Sequence, residues 1–250
     1  MKHSVSILGC GWLGLAVAKE LMAKGYQVKA SSTSSVKLLH FKKEGLHPFL
    51  IDIGQLNESI ADFLTTDILL VAITSKRLID YQNLIKALKT SNVRYVLFVS
   101  STSVYPMNNQ VVTEASETLE SPLVAIEQLF QKQNSFKTTI VRFGGLYGYD
   151  RNPANFVSGK LLKDPEGFIN FIHRDDAVEI LVQLLKNKLW GETFNACMYS
   201  HPKRSDFYIA QSNKMGVEPP KIDASVPSNY KIVDSQKLIS ALQYTFKHNS

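Results

Sequence analysis

A chain of 250 residues, 44% of them hydrophobic, can bury a real core as one large α/β domain or as a nucleotide domain with a small second lobe. The 28 Lys and Arg exceed the 22 Asp and Glu by a formal +6, but Lys42-Lys43 is the only adjacent lysine pair. A clustered basic stripe is therefore missing, which excludes a nucleic-acid footprint and leaves a surface suited to an anionic small ligand.

The two cysteines, Cys10 and Cys197, rule out a disulfide framework and fit a reducing cytoplasm. No signal-peptide pattern stands before the strand-like Ser4-Val5-Ser6-Ile7-Leu8, and the longest apolar run, Ile68 to Ile73, is too short to span a bilayer. The expectation is a cytoplasmic protein that engages neither membrane nor nucleic acid.

Short apolar runs alternate with longer periodic stretches through the first half, as in βαβ units with a parallel sheet. Strands are predicted at Val5–Leu8, Gln27–Ser31, Pro48–Ile51, Ile68–Ile73, Tyr95–Val99 and Thr139–Arg142. Between them, Leu13, Val17 and Leu21 recur at a spacing of four, so Leu13–Lys24 reads as a helix stopped by Gly25. Further helices are predicted from Asp80 to Thr90, and from the N-cap pair Ser121-Pro122 to Gln133. Beyond residue 150 the pattern loosens. Asp175–Lys188 and Ser205–Met215 read as helices, Gly191–Asn195 as a turn into a strand, and Ser235–Leu242 as a last short helix. Pro219-Pro220 and Val226-Pro227-Ser228 mark loops between them. These signals predict an α/β fold: a Rossmann-type doubly wound parallel sheet at 1–147, with a small C-terminal substrate lobe at 148–250 interleaved with it.

The motif that carries chemistry is Gly9-Cys10-Gly11-Trp12-Leu13-Gly14, set between a predicted strand and a predicted helix. Gly9 permits a tight turn, Gly11 lets backbone approach a pyrophosphate, and Gly14 allows close helix–sheet packing. The N–H groups of Trp12 and Leu13 onwards, aided by the helix dipole, favour phosphate. A NAD site places an acid near the end of the second strand to bind the ribose 2′-hydroxyl. That region here, Lys29 to Lys37, holds no acid. Ser32, Thr33 and Lys37 instead offer hydroxyl donors and a positive charge, which suits a 2′-phosphate. NADP is therefore the expected cofactor, with NAD as second choice.

Val96–Tyr105, with its Ser100-Ser101 pair, and Arg142-Phe143-Gly144-Gly145-Leu146-Tyr147-Gly148 extend the pattern. Ile172-His173-Arg174-Asp175-Asp176 and Gly191-Glu192-Thr193-Phe194-Asn195 follow in order. Together with the glycine loop, these segments resemble the extended short-chain dehydrogenases/reductases, a superfamily of NAD(P)-dependent epimerases, dehydratases and reductases acting mainly on nucleotide sugars. The resemblance covers roughly residues 5 to 195. It implies that Ser101, four before Tyr105, polarises a substrate oxygen. It also implies adenine contacts from Asp52 and Ile53, and a cofactor lining from Ala72 and Thr74.

One departure matters for mechanism. The family's Tyr-x-x-x-Lys acid–base pair falls on Leu119 and Leu123 here, and no such pair occurs between Ser101 and Thr139. Tyr105, Tyr147, Tyr149 and His173 remain as alternative proton carriers, Tyr105 being taken with Ser101 as the catalytic pair. Tyr147, Arg151 and His173 are expected at the substrate, with Arg174 a second candidate for a phosphate. No ligand spacing among the six histidines and two cysteines indicates a metal, and no Gly-x-Ser-x-Gly elbow indicates a hydrolase.

Two functions follow as expectations. One is an atypical oxidoreductase or epimerase with a small substrate resembling a sugar nucleotide. The other is a catalytically silent NADP-binding regulator. A homodimer is compatible with both.

Overall fold

The computed structural model describes residues 4–225 and 227–248. Val226 of the expected loop therefore lies outside the described residues. In chain order the first half comprises β1 (Ser4–Leu8), α1 (Gly14–Ala23), β2 (Gln27–Ser32), α2 (Ser35–Lys43), β3 (His47–Leu50), α3 (Ser59–Phe63), β4 (Ile68–Val71), α4 (Leu78–Lys89) and β5 (Tyr95–Ser101). Then come β6 (Gln110–Val112), α5 (Pro122–Gln131), β7 (Lys137–Phe143), β8 (Gly145–Tyr147), α6 (Ala154–Val157), β9 (Leu161–Leu162) and β10 (Phe171–His173). The chain ends with α7 (Arg174–Lys186), β11 (Thr193–Ala196), α8 (Arg204–Met215), β12 (Lys221–Ile222), β13 (Lys231–Val233) and α9 (Gln236–Leu242).

A seven-stranded sheet runs in the order β11-β7-β5-β4-β1-β2-β3. The pairs β1–β2, β2–β3, β1–β4 and β4–β5 are parallel. This is the doubly wound α/β fold expected from the alternation of runs. The chain leaves β1 towards β2 and β3, then returns to β1's other side as β4. That reversal between β1 and β4 is the switch point at which open α/β sheets bind ligands, beyond the carboxyl ends of their strands.

Two compact, interleaved units make up the chain. One comprises Met1–Ser100, Glu120–Val141 and Val178–Thr193; the other comprises Ser101–Leu119, Arg142–Ala177 and Phe194–Ser250. Residues on both sides of position 147 thus contribute to each.

In the first unit, alternation of apolar residues along parallel strands is replaced by near-continuous burial, because helices cover both faces. Leu69 and Val71 of β4, Val96 and Phe98 of β5, and Leu84 and Leu88 of α4 meet in one cluster. Tyr81, Phe98 and Phe130 pack there at ring separations of 5.0–6.1 Å. Each such side chain contributes roughly 1.5–3 kcal/mol by leaving water. Helix α1 buries Val17, Ala18 and Leu21. It ends as foreseen at Gly25, whose φ of +85° is open to glycine. There the N–H groups of Gly25 and Tyr26 donate to Met22 and Leu21 carbonyls, closing the helix end. Ser121 caps α5, its Oγ accepting from Val124 N at 3.3 Å with Pro122 behind it.

The second unit rests on three two-stranded parallel pairs, β8–β10, β9–β12 and β6–β13. Its small core gathers Leu162, Ile169, Met198, Phe207 and Tyr208, with Phe171 against the last two.

Candidate functional site

The glycine loop sits at the switch point of the first unit. Gly9 follows β1 with φ +94°, and a Cβ there would lie 2.7 Å from Ala72 O and 2.5 Å from Ile73 Cγ2. At Gly14 a Cβ would run into the carbonyl oxygen of Gly9. Around Gly11, by contrast, nothing lies within 4 Å of where a Cβ would stand. Two of the three glycines are thus required by packing. The third leaves open space beside the backbone, which is what a pyrophosphate needs.

The end of β2 holds this loop in place. Ser31 Oγ accepts from Gly9 N at 3.0 Å, and Ser31 O accepts from Cys10 N at 2.9 Å. No side-chain hydrogen bond caps the N-terminus of α1; Leu15 N already donates to Gly11 O at 3.0 Å, and the dipole of the helix favours an anion in front of it. Leu13 is buried, so its share in phosphate binding falls to its backbone; Trp12 is half-buried beside the open Gly11. Cys10 is buried with its thiol pushed up to about 12 by desolvation, which makes it a filler and not a nucleophile.

At the ribose end, Ser32 Oγ accepts from Ser34 N at 3.1 Å and so keeps its own proton to donate. Thr33 and Lys37 are exposed. The other lysine nearby, Lys29, is committed to Asp62 and Thr65. Asp52 is exposed and folds into a small turn, its Oδ1 accepting from Gly54 N at 2.8 Å. Ile53 is 5% exposed and belongs to the core, so any contact with adenine falls to its backbone. Ala72 is half-buried after β4 and Thr74 is exposed.

In the second unit, Ser101 ends β5 and caps the 3-10 turn Thr102–Val104, its Oγ accepting from Ser103 N at 3.1 Å. Tyr105 is the residue expected to share the catalytic role with Ser101. It is 1% exposed; its hydroxyl donates to Asn195 Oδ1 at 2.8 Å and accepts from Arg142 Nη1 at 2.7 Å. Burial raises its pKa further. The proton of the phenol is directed at Asn195 and its lone pair at Arg142, so Tyr105 reaches a substrate only if these hydrogen bonds open. Tyr147 is half-buried against Phe171 and His173, with burial and then Asp176 raising its pKa. Arg151 is exposed, and its backbone closes a tight turn with Gly148 through two 3.0 Å hydrogen bonds. Gly148 has φ +123°, and a Cβ on it would overlap the His173 imidazole.

Three groupings escaped the sequence reading. Ser31, which holds the glycine loop, lies inside the acid-free stretch Lys29 to Lys37, and nothing local distinguishes it from the serines beside it. Ser100 Oγ donates to the buried Glu127 carboxylate at 2.5 Å, an element-to-element contact without a local signature. His173, Asp175 and His248 converge so that one ligand atom from each lies within 4.8 Å of the others. The expectation of no metal spacing had no access to this, since His248 is distant in sequence. The second unit also has a cavity of about 390 Å³, lined by residues that include Val111, Met198, Tyr199 and Asp234. Cys197 is among them, but none of the candidate cofactor, catalytic or substrate residues is.

Comparison with known proteins bears on the glycine loop directly. The profile of the NAD(P)H-binding family matches residues 9–188. The chain is 27% identical to the protein YeeZ of Escherichia coli K12, over 98% of this chain and 96% of that one. Among solved structures, a functionally unknown conserved protein of Silicibacter pomeroyi superposes with a TM-score of 0.82 at 18% identity, covering 100% of this chain and 95% of the other. MoeE5 in complex with UDP-glucose and NAD gives 0.81 at 18% identity, with 99% and 94% coverage. The UDP-glucuronic acid 4-epimerase of Bacillus cereus in complex with NAD gives 0.81 at 17%, with 98% and 94% coverage. The chain has the fold of these proteins and belongs to the NAD(P)H-binding family.

Proposed function

We propose that this protein prefers NADP to NAD and acts as an oxidoreductase or epimerase on a small substrate resembling a sugar nucleotide, without a Tyr–Lys acid–base pair. The observation that carries the reading is the glycine loop, open at Gly11 and set before an uncapped α1, with hydroxyls and a lysine in place of the ribose-binding acid. Ser32 donates to a 2′-phosphate, Thr33 adds a second hydroxyl, and Lys37 supplies charge; an acid at any of these positions would repel that group. The nucleotide-sugar ligand of MoeE5 and the activity of the Bacillus cereus epimerase support the substrate class by likeness of fold.

When bound, the dinucleotide supplies the hydride acceptor or donor. The chain's own contribution begins with Ser101. Its Oγ is already an acceptor from Ser103 N, so its proton is left to polarise a substrate oxygen. Tyr147 and Arg151 are the proposed substrate contacts, the arginine for an anionic group, with His173 beside Tyr147. Leu119 and Leu123 cannot exchange protons, so the rate of the chemical step rests on orientation and on Ser101.

Those two leucines also support a second reading, a silent NADP-binding regulator. Titration of the purified protein with NADPH and NADH, followed by turnover assays over sugar nucleotides and small carbonyls, separates the two. The first reading predicts tighter NADPH binding with turnover that Ser101→Ala lowers at least about 10²-fold. NADPH binding without oxidation on any substrate leaves the regulator, and tighter NADH than NADPH overturns the cofactor assignment in both.

A further inference from the structure

The junction between β10 and α7 brings His173 and Asp175 together, and the segment following α9 lays His248 against them. His173 Nδ1 lies 3.7 Å from Asp175 Oδ2, and the rings of His173 and His248 stack at 3.8 Å. The protonation of each group is set by its neighbours. His173 Nδ1 accepts from Asp175 N at 3.2 Å, so that nitrogen carries a lone pair. His248 Nδ1 lies 3.1 Å from Asp176 Oδ2; a carboxylate only accepts, so Nδ1 is the donor, and in the neutral tautomer that this selects Nε2 carries the lone pair. Asp175 is oriented by Tyr149, whose hydroxyl lies 3.0 and 2.9 Å from its two oxygens.

Asp176 completes the arrangement. Its carboxylate is fully buried and also accepts from Tyr244 Oη at 2.7 Å, Lys247 N at 2.9 Å and His248 N at 3.2 Å. A buried carboxylate that fixes the tautomer of an imidazole, leaving the opposite nitrogen to bind, is the outer-shell pattern of metal-ligating histidines. A second carboxylate held by a phenol adds an oxygen donor.

We propose that His173 Nδ1, Asp175 and His248 Nε2 bind a divalent transition-metal ion, with zinc the best match. Two imidazoles and one carboxylate are donors of the right chemistry for zinc, which takes such ligands at about 2.0–2.2 Å. The present spacings exceed those of a closed site, so binding draws the three groups inward, replaces the Asp175 N hydrogen bond on His173 Nδ1 and turns the His248 ring out of its stack. The side chains of Asp175 and His248 are 42% and 39% exposed, which leaves a coordination position open to water. His173 is then committed to the ion, and the substrate contacts proposed above fall to Tyr147 and Arg151. The ion also ties the segment after α9 to the start of α7.

The test uses the tag-free full chain after chelator treatment. Zn2+ is titrated calorimetrically, and Co2+ is followed by its visible absorption. One ion per chain, with the intense bands of low-symmetry four-coordinate cobalt, is expected. His248→Ala and Asp175→Asn should each weaken binding at least about tenfold, a size seen even for outer-shell losses. His40→Ala, on exposed α2, should change nothing. Zn2+ should raise the melting temperature of the parent and of His40→Ala but not of His248→Ala, which also decides the matter if Asp175→Asn fails to fold. Absence of saturable binding overturns the proposal, as does His248→Ala binding like the parent.

Discussion

The carbonyl oxygen of Gly9 occupies the place that a Cβ on Gly14 would take, so the turn between β1 and α1 closes only if position 14 is glycine. Gly11, between them, faces open space. The motif therefore mixes two kinds of requirement, and substitution separates them. Gly14→Ala should cost about 1–3 kcal/mol in chemical denaturation, the size of a locally strained backbone. Gly11→Ala should stay within about 0.5 kcal/mol of the parent, as surface changes do, yet weaken NADPH binding at least tenfold. Equal stability losses in both variants would refute this division.

Tyr105 is held on both sides of its hydroxyl. Its hydroxyl bridges Arg142 and Asn195; Asn195 in turn donates through its side chain to Asp234 O and through its backbone to Glu114. Tyr105→Phe removes one acceptor from a guanidinium and one donor from an amide. A loss of about 1.5–3 kcal/mol is expected, the range for hydrogen bonds to charged groups. If the phenol took part in proton transfer instead, the variant would keep its stability and lose turnover. Urea unfolding and any assay found for the parent would tell these apart.

What could be read in advance follows the range of each interaction. The strands from Val5 to Arg142 and the helix starts at Ser121 and Asp175 were visible because period, caps and turns are local. Helix α2 was not foreseen. It buries only Phe41 and leaves Val36 and Leu39 77% and 69% exposed, so no apolar stripe announces it. The paired strands β6–β13 and β9–β12 are two or three residues long and join distant segments, so no alternation could build up. At the site the same rule holds. The glycines and the acid-free end of β2 are local features. The Ser100–Glu127 contact and the meeting of His173 with His248 depend on tertiary placement.

Both cysteines offer a pH test. Burial pushes Cys10 and Cys197 from the ordinary value of 9.0 up to about 12. Below pH 9 both thiols are neutral whether the chain is folded or not, and this contribution to stability is complete. Above it, the unfolded chain releases two protons that the folded chain retains, so stability falls towards pH 12 at up to about 1.4 kcal/mol per pH unit for each thiol. Denaturation midpoints at pH 8 and pH 10 should differ accordingly, and replacing both cysteines by alanine should reduce the difference. At pH 8 the native protein should resist a thiol reagent that titrates two thiols after unfolding. Rapid labelling of the native state would contradict the burial argument.

Cofactor choice rests on the end of β2, where Ser32 keeps a donor proton and Lys37 stands exposed in the first turn of α2. Ser32→Asp introduces the acid that a NAD site uses. Its carboxylate can accept from a ribose 2′-hydroxyl and repels a 2′-phosphate, so the two cofactors should move in opposite directions. Its side chain can still accept from Ser34 N, which preserves the turn. NADPH affinity should fall at least about tenfold, or 1.4 kcal/mol, while NADH affinity rises. Lys37→Ala should weaken NADPH alone, and less so at high salt, because an exposed charge is screened. Equal losses for both cofactors in Ser32→Asp would mean that the substitution damages the loop, and that Ser32 does not read the 2′-position.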